Sequence, residues 1–97
     1  LNKYQDPLDT GVLKLINSVI QVGVENNIEV SVCGDMASDK EAAIILYLLG
    51  LRVFSIAPSQ GPNIINSLVY AKNNLTHVTK EEILSSLDSH NLRKLIS

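Results

Sequence analysis

Hydrophobic residues recur every three or four positions in the first quarter of the chain, which predicts an amphipathic helix over residues 9–26. Its apolar positions are Val12, Leu13, Ile16, Val19, Ile20 and Val24. Asp9 or Thr10 can cap the start of this helix, because their side-chain oxygens accept from free backbone N–H groups. Asn26-Asn27 can end it, because asparagine tolerates the left-handed backbone that closes helices. Residues 28–33 then alternate between apolar and polar side chains, which predicts a strand.

A buried helix and a second strand follow after short connections. Gly34 ends the first strand, and Ser38 or Asp39 can cap a helix whose body, residues 42–49, is apolar nearly all round. We expect this helix to be heavily buried. Gly50 stands where a glycine C-cap belongs, before a short, β-branched and largely apolar strand over residues 51–57.

The pattern predicts further helices in the last 40 residues. Pro62 suits the first turn of a helix that runs to about Lys72 with one apolar stripe. In the C-terminal tail, residues 73–97, Thr79 and Glu82 have the spacing of a capping box that opens a helix through about Leu87. Ser89 can cap a last turn that runs to Ile96.

The order helix, strand, helix, strand, helix with short connections predicts an α/β fold with parallel strands. Two parallel strands alone leave both outer edges unpaired, and parallel strands normally lie in larger sheets covered by helices. The pattern therefore indicates part of a larger parallel sheet.

Composition and charge narrow the class of protein. The chain has 97 residues, 45% of them hydrophobic, which is enough for one core. Its 10 acidic and 8 basic residues give a net charge of -2, which argues against nucleic acid and anionic membranes as partners. One cysteine cannot form an internal disulfide, and no apolar run approaches the roughly 20 residues of a membrane helix. We expect a cytoplasmic protein without membrane insertion.

The candidate chemistry lies after the predicted strands, because the carboxyl ends of parallel strands form the functional face of α/β folds. Cys33 ends the first strand and Asp35 follows it. The alternatives are that Cys33 is a small buried hydrophobe and that Asp35 supports the turn at Gly34. Residues 58–62 (PSQGP) precede a helix N-terminus, where backbone N–H groups can bind an anion. The alternative is a plain strand-to-helix connection, which the sequence favours because it has no phosphate-binding glycine motif.

Other polar residues give no catalytic pattern. His77 and His90 lie in the tail without further ligands at metal-binding spacing, and we expect solvated side chains there. The same expectation holds for Asp9, Lys14 and the charged run 80–82.

One stretch of the chain resembles the end of the (β/α)8 barrel of phosphoenolpyruvate-utilising enzymes. The resemblance is carried by residues 33–39 (CGDMASD), followed by Ala42, Gly50-Leu51, Phe54-Ser55 and Pro62. Upstream, residues 6–8 (DPL) and 12–16 (VLKLI) resemble the entry to the preceding barrel helix. The likeness extends over about residues 4–72, and the nearest branch is the phosphoenolpyruvate-protein phosphotransferases. It implies that residues 1–97 form the C-terminal portion of a TIM (β/α)8 barrel, with only a weak match in the tail.

By this resemblance, Cys33 is the catalytic proton donor to the pyruvate enolate, and Gly34 and Asp35 contact substrate. The parent enzyme would use Mg²⁺, with ligands upstream of this chain and none in it. Its partners would be phosphoenolpyruvate or pyruvate and the phosphocarrier protein HPr, and it would be a homodimer. The fragment alone would be inactive, because the phosphorylated histidine and the phosphate-binding arginines also lie upstream.

Three departures from the family pattern bear on the loops: Asp35 replaces glutamate, Ser38 replaces glycine, and Gly61 replaces a β-branched residue. A nitrogen-regulatory paralogue would share the same chemistry. A stand-alone α/β binding module, with a structural or redox cysteine, is the alternative from another class.

Overall fold

The structure, a computed structural model, describes residues 10–33, 39–55, 58–86 and 89–96. Helices and strands alternate through the first three quarters of the chain, and helices alone form the tail. The elements are α1 (Thr10–Glu25), β1 (Ser31–Cys33), α2 (Lys40–Leu49), β2 (Val53–Ser55), α3 (Gly61–Asn74), α4 (Lys80–Leu84) and α5 (Ser89–Leu95). This order confirms the predicted α-β-α-β-α sequence followed by C-terminal helices.

The two strands pair in parallel, as predicted, with α2 as the crossover between them. Ser31 lies opposite Val53, and Cys33 lies opposite Ser55. The described part of the chain therefore contains a parallel βαβ unit, whose two strands end side by side.

Both strands begin later than predicted, the second at Val53 rather than at Leu51. The first was expected from Ile28, but pairing begins at Ser31. The backbone N–H of Ile28 instead donates to the carbonyl of Gly23 at 2.8 Å, and Asn27 adopts the left-handed conformation with φ of 56°. These residues therefore close α1 rather than extend the sheet. Ile56 and Ala57, the predicted end of the second strand, lie outside the described residues.

Most predicted helix boundaries are confirmed. Gly50 has φ of 116°, and its N–H donates to carbonyls at the end of α2. Pro62 lies in the first turn of α3. Thr79 and Glu82 form both hydrogen bonds of the capping box. Each of these positions has a backbone requirement that few residue types meet, such as a free N–H group to be bonded or a fixed φ. The residue type therefore indicates the helix boundary in the sequence.

Helix α2 is at the centre of the core, as its composition predicts. The side chains of Ala42, Ala43, Ile45, Leu46 and Leu49 are fully buried. All of these except Ala43 pack in one cluster with residues of α1 and α3, and Phe54 of β2 packs against that cluster. Because α2 is buried on most of its faces, it holds the βαβ unit together.

The tail belongs to the same core. Its buried side chains are Leu75, Val78, Ile83, Leu92 and Ile96. The prediction was wrong in one detail, because α4 ends at Leu84 rather than near Leu87. α5 spans Ser89–Leu95, and the residue before it lies outside the described residues. Leu87 itself lies outside the described residues. Packing against α2 therefore includes residues beyond the part that resembles the family.

The predicted apolar stripe of α1 is only partly covered. Leu13 and Ile20 are buried, whereas Val19 and Val24 are exposed. Leu13, Ile16 and Ile20 face the core, and apolar side chains on the other side of α1 stay exposed to solvent in the described part of the chain.

None of the helices in the described ranges is long and apolar enough to cross a membrane.

Candidate functional site

The carboxyl ends of β1 and β2 define the candidate site. Cys33 is the last residue of β1, and its backbone lies opposite that of Ser55, the last residue of β2. The structure thus confirms that Cys33 ends a parallel strand. Gly34 and Asp35, the predicted substrate contacts, lie outside the described residues, as does the other candidate cap, Ser38.

Asp39 is the N-cap residue of α2. Its Oδ1 accepts from the backbone N–H of Glu41 at 3.0 Å and of Ala42 at 3.1 Å. Asp39 itself has an extended backbone, with φ of -85° and ψ of 116°. The predicted capping role is confirmed, and it fixes the start of α2 at Lys40.

We expect Asp39→Ala to lower the free energy of unfolding by about 1 kcal/mol, because it leaves two backbone donors without their acceptor. Asp39→Asn retains a side-chain oxygen and is the matched control, with a loss of no more than a few tenths of a kcal/mol expected. Urea unfolding of both variants measures the difference. Equal losses would show that charge at the helix N-terminus, rather than the hydrogen bonds, stabilises this turn.

The turn that precedes α3, residues 58–60, has the features of a plain connection. Gly61 N–H donates to the carbonyl of Pro58 at 3.3 Å, closing a turn before α3. Gln60, the N-cap residue, makes no side-chain capping hydrogen bond. A cleft of about 530 Å³ lies beside this turn, lined by Lys40, Gln60, Asn63, Ile64, Asn66 and Ser67. Its polar side chains are mostly exposed, so no built anion site is present there.

The two histidines are exposed, as predicted. No cluster of three or more His, Cys, Asp or Glu side chains occurs within the described ranges.

Sequence reasoning missed two contacts made by arginines. Arg52 donates from Nη1 to the carbonyls of Tyr47 at 2.8 Å and Leu51 at 2.9 Å, and its guanidinium stacks 4.2 Å from the centre of the Tyr47 ring. It precedes β2, at the end of the sheet away from Cys33, so it stabilises the α2–β2 turn. Arg93 in the tail pairs with Glu41 in the first turn of α2. A contact across 52 positions leaves no local signal in the sequence.

Comparison with known proteins gives one family. The profile described as PEP-utilising enzyme, PEP-binding domain, matches residues 1–73. Curated relatives named phosphoenolpyruvate-protein phosphotransferase are similar to this chain. The protein of Borreliella burgdorferi is 41% identical over 59 residues, covering 61% of this chain. That of Priestia megaterium is 33% identical over 86 residues and covers 89% of this chain. The Buchnera aphidicola protein is 31% identical and covers 92%.

The chain is much shorter than these relatives. It spans 10% of the Borreliella protein, 14% of the Priestia protein and 17% of the Buchnera protein. No solved structure gives a significant match. The alignments therefore place this sequence against a small part of much longer enzymes.

Proposed function

Because this chain belongs to the PEP-utilising enzymes, whose PEP-binding domain matches residues 1–73, we propose that it is the C-terminal segment of a phosphoenolpyruvate-protein phosphotransferase. The complete enzyme would transfer a phosphoryl group from phosphoenolpyruvate to one of its own histidines and then to the phosphocarrier protein HPr of the sugar phosphotransferase system. The family match over three quarters of the chain is the observation that carries this proposal. The relatives named for this activity support the branch.

In this proposal, Cys33 is the proton donor. Loss of the phosphoryl group leaves an enolate, whose carbon–carbon double bond takes the thiol proton at the methylene carbon. The products are the methyl group of pyruvate and a thiolate, which regains a proton from solvent. An ordinary thiol, with a pKa of about 8.5, is mostly protonated at neutral pH yet can be deprotonated in turnover. The position of Cys33 at the carboxyl end of β1 supports this role.

Other parts of the site would come from outside the described residues. Gly34 and Asp35 are proposed to contact the substrate. By the resemblance to the family, the ligands of Mg²⁺ would lie upstream of residue 1. The arginines and the phosphorylated histidine would lie there too, so phosphate binding depends on the rest of the enzyme.

Exposed apolar side chains support a larger domain. On α1, Leu15 is 67% exposed and Val22 is 54% exposed, and Ile28 beyond the end of α1 is 60% exposed. On α3, Ile65 and Val69 are exposed as well. An apolar cleft of about 310 Å³ lies along α1, lined by Ser18, Val19, Val22, Gly23, Ile28 and Val30. Burial of such surfaces is favourable, so we propose that upstream elements of a (β/α)8 barrel cover them.

The two strands also fit a barrel. Each has one outer edge without a partner in the described part of the chain, and a closed barrel removes such edges. A full barrel takes about 250 residues, of which this chain would supply the last strands and helices. We further propose that the complete enzyme is a cytoplasmic homodimer.

The proposal predicts activity for the complete protein and none for the fragment. Purified protein that includes the upstream region should release pyruvate from phosphoenolpyruvate when HPr is present, whereas the 97-residue chain should release none. The reason is that phosphoryl transfer needs positive charges arranged around the phosphate, which one thiol does not replace. A coupled assay for pyruvate measures both.

Two results would contradict the proposal. The first is turnover of phosphoenolpyruvate by the isolated chain. The second is a complete protein that binds phosphoenolpyruvate but forms no phosphohistidine.

A further inference from the structure

We draw no further inference here: the strongest candidate, the apolar cleft of about 310 Å³ between α1 and the residues that lead into β1, lies on the surface that the proposed function already assigns to upstream elements of the barrel, and nothing in the described part of the chain points to a different occupant.

Discussion

Replacing Cys33 by alanine in the complete enzyme is expected to lower kcat for phosphoenolpyruvate by about 10²- to 10⁴-fold, the usual contribution of a general acid. KM should change little, because the groups that bind the phosphate and carboxylate are proposed to lie elsewhere. Cys33→Ser should be nearly as slow, because a hydroxyl is a much weaker acid than a thiol. Steady-state release of pyruvate measures both variants.

The matched control is Ser31→Ala, two positions earlier in the same strand. It removes a side-chain heteroatom of similar size at a position away from the carboxyl end of β1. We expect turnover within about twofold of wild type, since most surface substitutions of this kind are nearly neutral. A decrease in kcat of less than tenfold in Cys33→Ala, or an equal decrease in Ser31→Ala, would indicate that Cys33 is a small structural residue and not the proton donor.

Shortening Leu92 to alanine is expected to lower the free energy of unfolding of the domain by about 2 to 5 kcal/mol. Leu92 is fully buried in the cluster formed around α2, although it lies 19 residues beyond the end of the family match. The loss combines removal of apolar surface from the core with the cavity that remains. Chemical denaturation of the complete enzyme, followed by a probe in this domain, measures the change.

His90→Ala is the control for this substitution, because His90 lies on the same helix with an exposed side chain. Its effect should stay within about 0.5 kcal/mol. If Leu92→Ala were as mild as His90→Ala, the tail would not be part of the cooperative core, and its contact with α2 would not be maintained in solution.

Local stereochemistry explains which features the sequence could predict. The cap at Asp39, the left-handed Gly50 and the capping box of Thr79 and Glu82 each satisfy backbone groups within four residues. Such requirements act over one turn and select few residue types. The buried helix α2 was also predictable, because its composition leaves no polar face.

The first and last residues of a strand depend on its pairing with another strand, which is distant in sequence. Residues 28–33 alternate as a strand should, yet only residues 31–33 pair with β2. Pairing is set by the register of the neighbouring strand, and the turn that closes α1 uses the N–H of Ile28. The apolar side chains exposed on α1 also follow a valid helical pattern, but their partners are proposed to lie in the upstream barrel.

Contacts distant in sequence were the largest omission. Nothing in the sequence around Arg93 indicates a pairing with Glu41, and charged side chains on a helix are usually solvated. The burial of Leu92 and Ile96 brings the two charges together. Cys33 was predicted as a candidate only because the end of a parallel strand is a favoured position for function and because residues 33–39 resemble a family motif.

The most direct test of the role of Cys33 is the configuration of the methyl group in the pyruvate that the complete enzyme forms. Phosphoenolpyruvate carrying tritium in one position of its methylene group, turned over in D₂O, gives a methyl group with three hydrogen isotopes. Delivery of the deuteron by one fixed acid predicts a single configuration for wild type and a mixture of both for the residual turnover of Cys33→Ala. A single configuration preserved in Cys33→Ala, formed at the wild-type rate, would contradict the assignment of Cys33 as the proton donor.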